Sequence, residues 1–269
     1  MRVRSSRAML VTSCKGGIGK STVAANLAAA LTAEGKNILL IDCDFGSRCL
    51  DLILGCENDV IYDVTDVALD RIQPIKAVIN IPVSNGTTVI GTIKFVAAPA
   101  IYENELTPVL FKSAVEKLAA ATSPDLILLD TSGGMSSIEL CASSASNALI
   151  VTSHQPAAIR AAERTGNKLA SLGVKESRLV INCFDFSGTI KGERTGIAQI
   201  IDSSHLMIIG VVPYDYNLEL AQESATLITE MQQSNCAAAF KNIASRLTGI
   251  PVPLFKGFKN APIKKLQQK

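Results

Sequence analysis

One short segment near the start of the chain limits the fold more than any other: Cys14-Lys15-Gly16-Gly17-Ile18-Gly19-Lys20-Ser21-Thr22. It follows the apolar run Met9–Ser13 and opens Lys20–Glu34, where Val23, Leu27 and Leu31 recur at helical spacing among alanines. Gly35 then stops the helix. A strand, a glycine turn and a helix in that order let backbone N–H groups converge on a polyphosphate. The glycines allow close approach, and the helix start adds unpaired N–H groups and the positive end of its dipole. In such a loop Lys20 bridges the β- and γ-phosphates, and the Ser21 hydroxyl ligates Mg²⁺.

The rest of the chain repeats that alternation. Strands are expected at Met9–Ser13, Asn37–Asp42, Lys94–Ala98, Leu126–Asp130, Leu149–Ser153, Leu179–Cys183 and Leu206–Val212. Helices are expected at Lys20–Glu34, Ala114–Ala121, Ala157–Leu172 and Cys236–Leu247. Most of the strands are apolar throughout, as strands covered on both faces must be. The predicted class is α/β, with a mostly parallel twisted sheet of about seven or eight strands and helices on both faces. Ser84-Asn85-Gly86-Thr87, between Val83 and Val89, reads as a hairpin turn marking a small excursion from that sheet.

Composition removes several function classes. Hydrophobic residues are 48% and charged residues 19%, which excludes a disordered chain. Aromatics are 4% and Trp is absent, so stacking platforms for single-stranded nucleic acid are not the main device. A net charge of +2 gives no strong field to recruit nucleic acid or membrane. No apolar run approaches the roughly 20 residues of a membrane span. Ala8–Val11 is too short for a secretory core, so the N-terminus reads as the first strand of a cytoplasmic protein. The seven cysteines (14, 43, 49, 56, 141, 183 and 236) contain no C-x-x-C pair, which argues against a disulfide framework, a zinc site or an iron–sulfur carrier.

The main domain is read as residues 1–248, with 249–269 a basic tail. Pro251 and Pro253 interrupt the chain there, and Lys256, Lys259, Lys264, Lys265 and Lys269 follow without an acidic residue. In that tail Leu254, Phe255 and Phe258 could enter a lipid interface while the lysines meet anionic headgroups. Pro262, and the mixing of basic with apolar positions up to Ile263 and Leu266, break a clean amphipathic helix. Two acidic clusters end apolar strands: Asp42-Cys43-Asp44 and Asp130-Thr131-Ser132-Gly133-Gly134. Ligands of parallel sheets bind beyond the carboxyl ends of the strands, so both clusters are expected to face the glycine loop. Asp42 and Asp44 are read as pointing to different sides.

The K-G-G-x-G-K-[ST] form of the loop resembles the deviant Walker A loop of the MinD/ParA family of P-loop ATPases, and the implied fold is the P-loop NTPase fold. Asp44-Phe45-Gly46-Ser47-Arg48-Cys49-Leu50-Asp51-Leu52-Ile53-Leu54-Gly55-Cys56-Glu57, followed by Val60-Ile61-Tyr62-Asp63-Val64, resembles the MinD branch. The resemblance implies an ATP-hydrolysing dimerisation switch, slow unless a partner stimulates it, with ATP and Mg²⁺ as ligands. It implies that Lys15, Gly16, Gly17, Ile18, Gly19, Lys20, Ser21 and Thr22 hold the nucleotide. Lys15 would cross a dimer interface to the partner's phosphates. Lys20 and Asp44 would join Lys15 in catalysis, Asp44 positioning or activating the attacking water. Ser21, Asp42 and Asp130 would hold the metal, and Asn182, Pro213 and Asp215 would contact the base. The implied partners are a second copy in the ATP state, a MinE-like activator and an anionic membrane surface reached through the tail. The protein would be cytoplasmic and peripherally membrane-associated when ATP-bound. DNA is disfavoured, although a ParA-type partition or flagellar-placement ATPase remains the alternative, as does a nucleotide-binding scaffold with little turnover. Four positions depart from the family pattern: Cys14 for the first glycine, Cys49 for an Asn, Ser132 for a proline and Ala157 for a Glu.

Overall fold

The computed structural model describes residues 7–102, 106–231 and 233–259. Eight strands are formed: β1 (Arg7–Thr12), β2 (Ile38–Cys43), β3 (Ile79–Ser84), β4 (Val89–Val96), β5 (Leu126–Thr131), β6 (Asn147–Thr152), β7 (Glu176–Phe184) and β8 (Met207–Pro213). The helices are α1 (Lys20–Ala33), α2 (Leu50–Ile53), α3 (Val64–Ala68), α4 (Pro108–Thr122), α5 (Met135–Ala142), α6 (Pro156–Ser171), α7 (Phe186–Lys191), α8 (Ile197–Ser204), α9 (Tyr216–Glu223) and α10 (Asn235–Leu247). The strands form one sheet in the order β3-β4-β2-β5-β1-β6-β7-β8. All neighbours pair in parallel except β3 with β4.

Alternation along the strands feeds two cores. Met9 and Val11 of β1, with Ile38 and Leu40 of β2, enter the core under α1 and α10. Ala8 and Leu10, with Leu39 and Ile41, enter the opposite core, filled by Phe111 and Leu118 of α4 and Leu169 of α6. Because side chains alternate faces, a strand buried on both must be apolar along its middle, and β1, β2 and β5 are, with polar residues only toward their ends at Arg7, Thr12, Asp42, Asp130 and Thr131. In α1, Ala24, Ala25, Ala28 and Ala29 are fully buried. Their small size lets the helix lie close against both the sheet and α10. Gly35, at φ +80°, closes it in the left-handed conformation that glycine adopts without strain.

The hairpin turn at 84–87 forms, with the Asn85 N–H donating to Thr88 O at 3.0 Å. The hairpin is the edge of the main sheet, however, and no excursion from it. β4 pairs in parallel with β2 while β3 turns back outside. Pro82, which has no N–H to give a further neighbour, sits in that outermost strand. β4 begins five residues before the expected Lys94, in Val89–Thr92, a stretch that is mostly exposed and carries little apolar signal.

Beyond α10 the described part of the tail turns back onto the domain. The Asn242 side-chain amide donates to Lys256 O at 2.8 Å, and the Lys259 N–H donates to Asn235 Oδ1 at 2.8 Å. Phe255 and Phe258 lie 5.3 Å apart in edge-to-face contact and both pack on Phe186, at 5.6 and 6.2 Å. Leu254 is half-buried against the same core. Ile263, Lys264, Lys265, Leu266 and Lys269 lie outside the described residues. Among the described residues no helix is long and apolar enough to cross a membrane.

β8 meets α10 at a glycine. A Cβ on Gly210 would stand 2.2 Å from Ile243 Cγ1. Gly210→Ala is therefore expected to destabilise the protein by about 1–3 kcal/mol, read from urea unfolding. Unchanged stability would show that the helix is not seated this closely.

Candidate nucleotide and metal site

The glycine loop runs from the end of β1 into α1, with Gly17 at φ +71° and Gly19 at φ +81°. Lys20 is the first residue of α1 and is buried. Four contacts from distant parts of the chain fix the loop. The Cys14 N–H donates to Thr165 Oγ1 at 3.1 Å, so the residue in the first glycine's place is anchored to α6. The Thr22 hydroxyl donates to Gln222 Oε1 at 2.6 Å, which ties the loop to α9. Asn182 Nδ2 donates to Ile18 O at 2.9 Å. Lys15 Nζ donates to Gln155 Oε1 at 2.5 Å, just before α6.

Asn182 was expected at the base. Here it is buried, and its amide supports the loop. A Cβ on Gly19 would lie 2.4 Å from Asn182 Nδ2, so Gly19 must be glycine for space as well as for its φ. Pro213 ends β8, and its carbonyl accepts from Cys236 Sγ at 3.3 Å. Asp215 caps α9, accepting the Asn217 N–H at 3.0 Å.

Asp42 and Asp130 stand opposite one another in the β2–β5 register, and both are fully buried. Burial pushes Asp42 up to about 7; the N–H groups of Asp44 and Leu50 oppose this, and the charges of Asp44 and Asp51 add to it. Burial also raises Asp130 well above the usual carboxylate range. The charges of Asp42 and Asp44 add to that rise, and Ser21 and Lys20 counter it. Neither carboxylate oxygen of Asp130 has a hydrogen-bond partner. Two adjacent buried carboxylates, one of them unpartnered and close to the Ser21 hydroxyl, are a donor set that suits a hard divalent cation. The residues fit Mg²⁺, held by few protein ligands and completed by phosphate oxygens.

Asp42 and Asp44 are not related by strand alternation. β2 ends at Cys43, so strand alternation does not set the direction of Asp44. Its own turn does: Asp44 Oδ1 accepts the N–H groups of Gly46 at 3.2 Å and Ser47 at 3.1 Å, while its N–H donates to Asp42 Oδ1 at 2.8 Å. Beyond β5, a Cβ on Gly133 would meet Gly16 N at 2.9 Å, so the two glycine backbones pack directly. Ser132 replaces the family's proline. Its N–H donates to Ser137 Oγ at 3.2 Å, and Ser137 donates in turn to Cys43 O at 3.3 Å. Side-chain hydrogen bonds thus hold the turn that a ring would otherwise stiffen.

A phosphate loop between β1 and α1, with paired carboxylates at the ends of β2 and β5, defines a P-loop nucleoside triphosphatase. The family model described as ParA, NUBPL iron-transfer P-loop NTPase, matches residues 4–248. The chain belongs to the ParA family of P-loop NTPases. It is 31% identical over 249 residues to the septum site-determining protein MinD of Synechocystis, covering 92% of this chain and 91% of that protein. It is 29% identical to MinD of Bacillus subtilis, with the same coverage. Among solved structures, the MinC:MinD cell division complex of Aquifex aeolicus superposes with a TM-score of 0.83 at 29% identity, over 93% of this chain and 98% of that one. MinD of Pyrococcus horikoshii in complex with Mg-ADP, at 22% identity and a TM-score of 0.75 over 90% of this chain and 96% of that one, shares the fold.

A buried, unpartnered carboxylate destabilises the ligand-free fold. Asp130→Asn is expected to raise the thermal midpoint of the nucleotide-free protein by about 2–4 °C at pH 8, where the unfolded chain's carboxyl is ionised. A lowered midpoint in differential scanning calorimetry would show that Asp130 is not strained in this way.

Proposed function

We propose that this chain is a MinD-type ATPase whose ATP-bound form pairs with a second copy, and that it acts in placing the division site. The observation that carries the reading is the coupling of the loop bearing both Lys15 and Lys20 to the Asp42–Asp130 pair and to Gly133. Lys20, Ser21 and the loop N–H groups bind and orient the triphosphate. Asp42, Asp130 and Ser21 would hold Mg²⁺, which when bound neutralises phosphate charge. Asp44 lies next to that pair and would orient the attacking water and accept its proton; this requires it to leave the Gly46–Ser47 turn. Lys15 is held by Gln155 within its own protomer and would leave that contact to reach the phosphates of a second copy. Ala157 gives up the carboxylate the family carries there, so Lys15 bears more of the dimer contact. Asn182, Pro213 and Asp215 would surround the base, and Asn182 can accept through Oδ1 while its Nδ2 keeps the loop in place.

A MinC-like or MinE-like protein fits as partner, since the Aquifex relative is seen in complex with MinC. Membrane attachment would use the tail, residues 249–269. Because Leu254, Phe255 and Phe258 are packed on the domain, either they are released or Ile263 and Leu266 make the contact. Paired copies would bind a surface far better than one.

Lys20→Ala is expected to abolish ATP binding in equilibrium titration; unchanged affinity would reject the loop assignment. Asp44→Ala should keep ATP binding, lower kcat by about 10²–10⁴ and accumulate a dimer in light scattering. Normal turnover in that variant would remove Asp44 from the chemistry. Removing residues 260–269 leaves the packed phenylalanines in place and is expected to reduce ATP-dependent sedimentation with anionic liposomes. Undiminished binding would exclude this stretch as the anchor, and ATP-dependent retention on DNA instead would favour a partition role.

A further inference from the structure

The opposite end of the sheet carries a cavity with a charge of its own. It has a volume of about 320 Å³ and opens where β1, β5, β6, β7 and β8 begin, away from the glycine loop. Arg7, Arg178 and Arg246 line it, with Glu176 the only carboxylate among its described lining residues. Arg178 is already committed: its Nε donates to Glu176 Oε1 at 2.7 Å and its Nη1 contacts Met207 Sδ at 3.2 Å. Arg246, at the end of α10, is different. Its Nη1 donates to Ile209 O at 2.7 Å and its Nε to Val252 O at 3.1 Å, which fixes the guanidinium plane. Its Nη2 is buried and has no partner. Neither Arg246 nor Arg7 forms an ion pair among the described residues. A fixed, half-buried guanidinium with a free donor and no counter-charge is costly unless an anion completes it. Apart from Asn147 the remaining wall is apolar, with Met9, Leu126 and Leu247 facing the same space. An inorganic anion would leave that wall uncovered.

We propose that this cavity binds an amphipathic organic anion: a carboxylate on a short aliphatic body, its head on Arg246 and Arg7 and its chain along Met9 and Leu247. The site is separate from the nucleotide loop, and the inference does not depend on the ATPase reading.

The probe is octanoate, titrated by calorimetry into the full chain with and without Mg-ADP, with octan-1-ol and inorganic phosphate as parallel arms. Saturable octanoate binding is expected, unchanged by Mg-ADP and weakened about tenfold or more by Arg246→Gln. Arg7→Gln alters an exposed side chain and decides the matter if the Arg246 variant does not fold; it too should weaken binding. Absent octanoate binding, binding unaffected by Arg7→Gln, or displacement by Mg-ADP would each overturn the proposal. Equal affinity for octan-1-ol would show that the guanidiniums play no part. Equal affinity for phosphate would show that the apolar wall plays none.

Discussion

The structure is organised around two carboxylates that share one level of the sheet away from water. Asp42 and Asp130 occupy paired positions on adjacent parallel strands. Burial disfavours their charged forms, and the charge of Asp42 adds to the rise at Asp130. Such a pair holds its geometry only if the strands beneath it cannot yield. β2 and β5 meet that need, because both are packed on two faces by apolar side chains. The end of the sheet is therefore rigid and electrostatically unsatisfied together, and a bound cation would relieve it without rearranging the core. The ligand-free protein gives up stability to keep the site ready.

Around that fixed point, the parts that the proposed switch would move are held by few contacts. Lys15 rests on one neutral amide, Gln155. Asp44 is held by two N–H groups of its own turn. Gly133 touches Gly16 backbone to backbone, so a phosphate drawn into the loop is felt at the end of β5 without any side chain as relay. Asn182 belongs to the rigid part: it braces Ile18 from a strand more than 160 positions away in sequence.

How much of this could be read in the chain depended on how local each feature is. The glycine loop, α1 and the apolar strands are written in neighbouring residues and emerge as expected. The paired carboxylates were legible because each ends an apolar run. The edge hairpin was only half legible: its turn residues are explicit, but the exposed stretch of β4 does not announce the sheet it joins. Gln155, Thr165 and Gln222, which fix the loop, carry no signal of their own, since Gln and Thr in helices are ordinary surface choices and only the fold brings them near Lys15, Cys14 and Thr22. The prolines and lysines of the tail gave no sign of the packing its first part makes. Its phenylalanines find Phe186, a residue whose exposure could not be known before the α7 turn was seen. Strand alternation stops with β2 at Cys43, so the direction of Asp44, set by its own turn, was not legible from it.

The central position of β1 bears on how the molecule comes into being. Its two neighbours, β5 and β6, begin at Leu126 and Asn147, more than a hundred residues downstream. At a synthesis rate of about 5–20 residues per second, β1 waits on the order of ten seconds for its permanent partners. During that interval an apolar ribbon and the alanine-rich helix behind it lie uncovered. The loop that defines the finished molecule is held in place only once Thr165, Asn182 and Gln222 have also been synthesised.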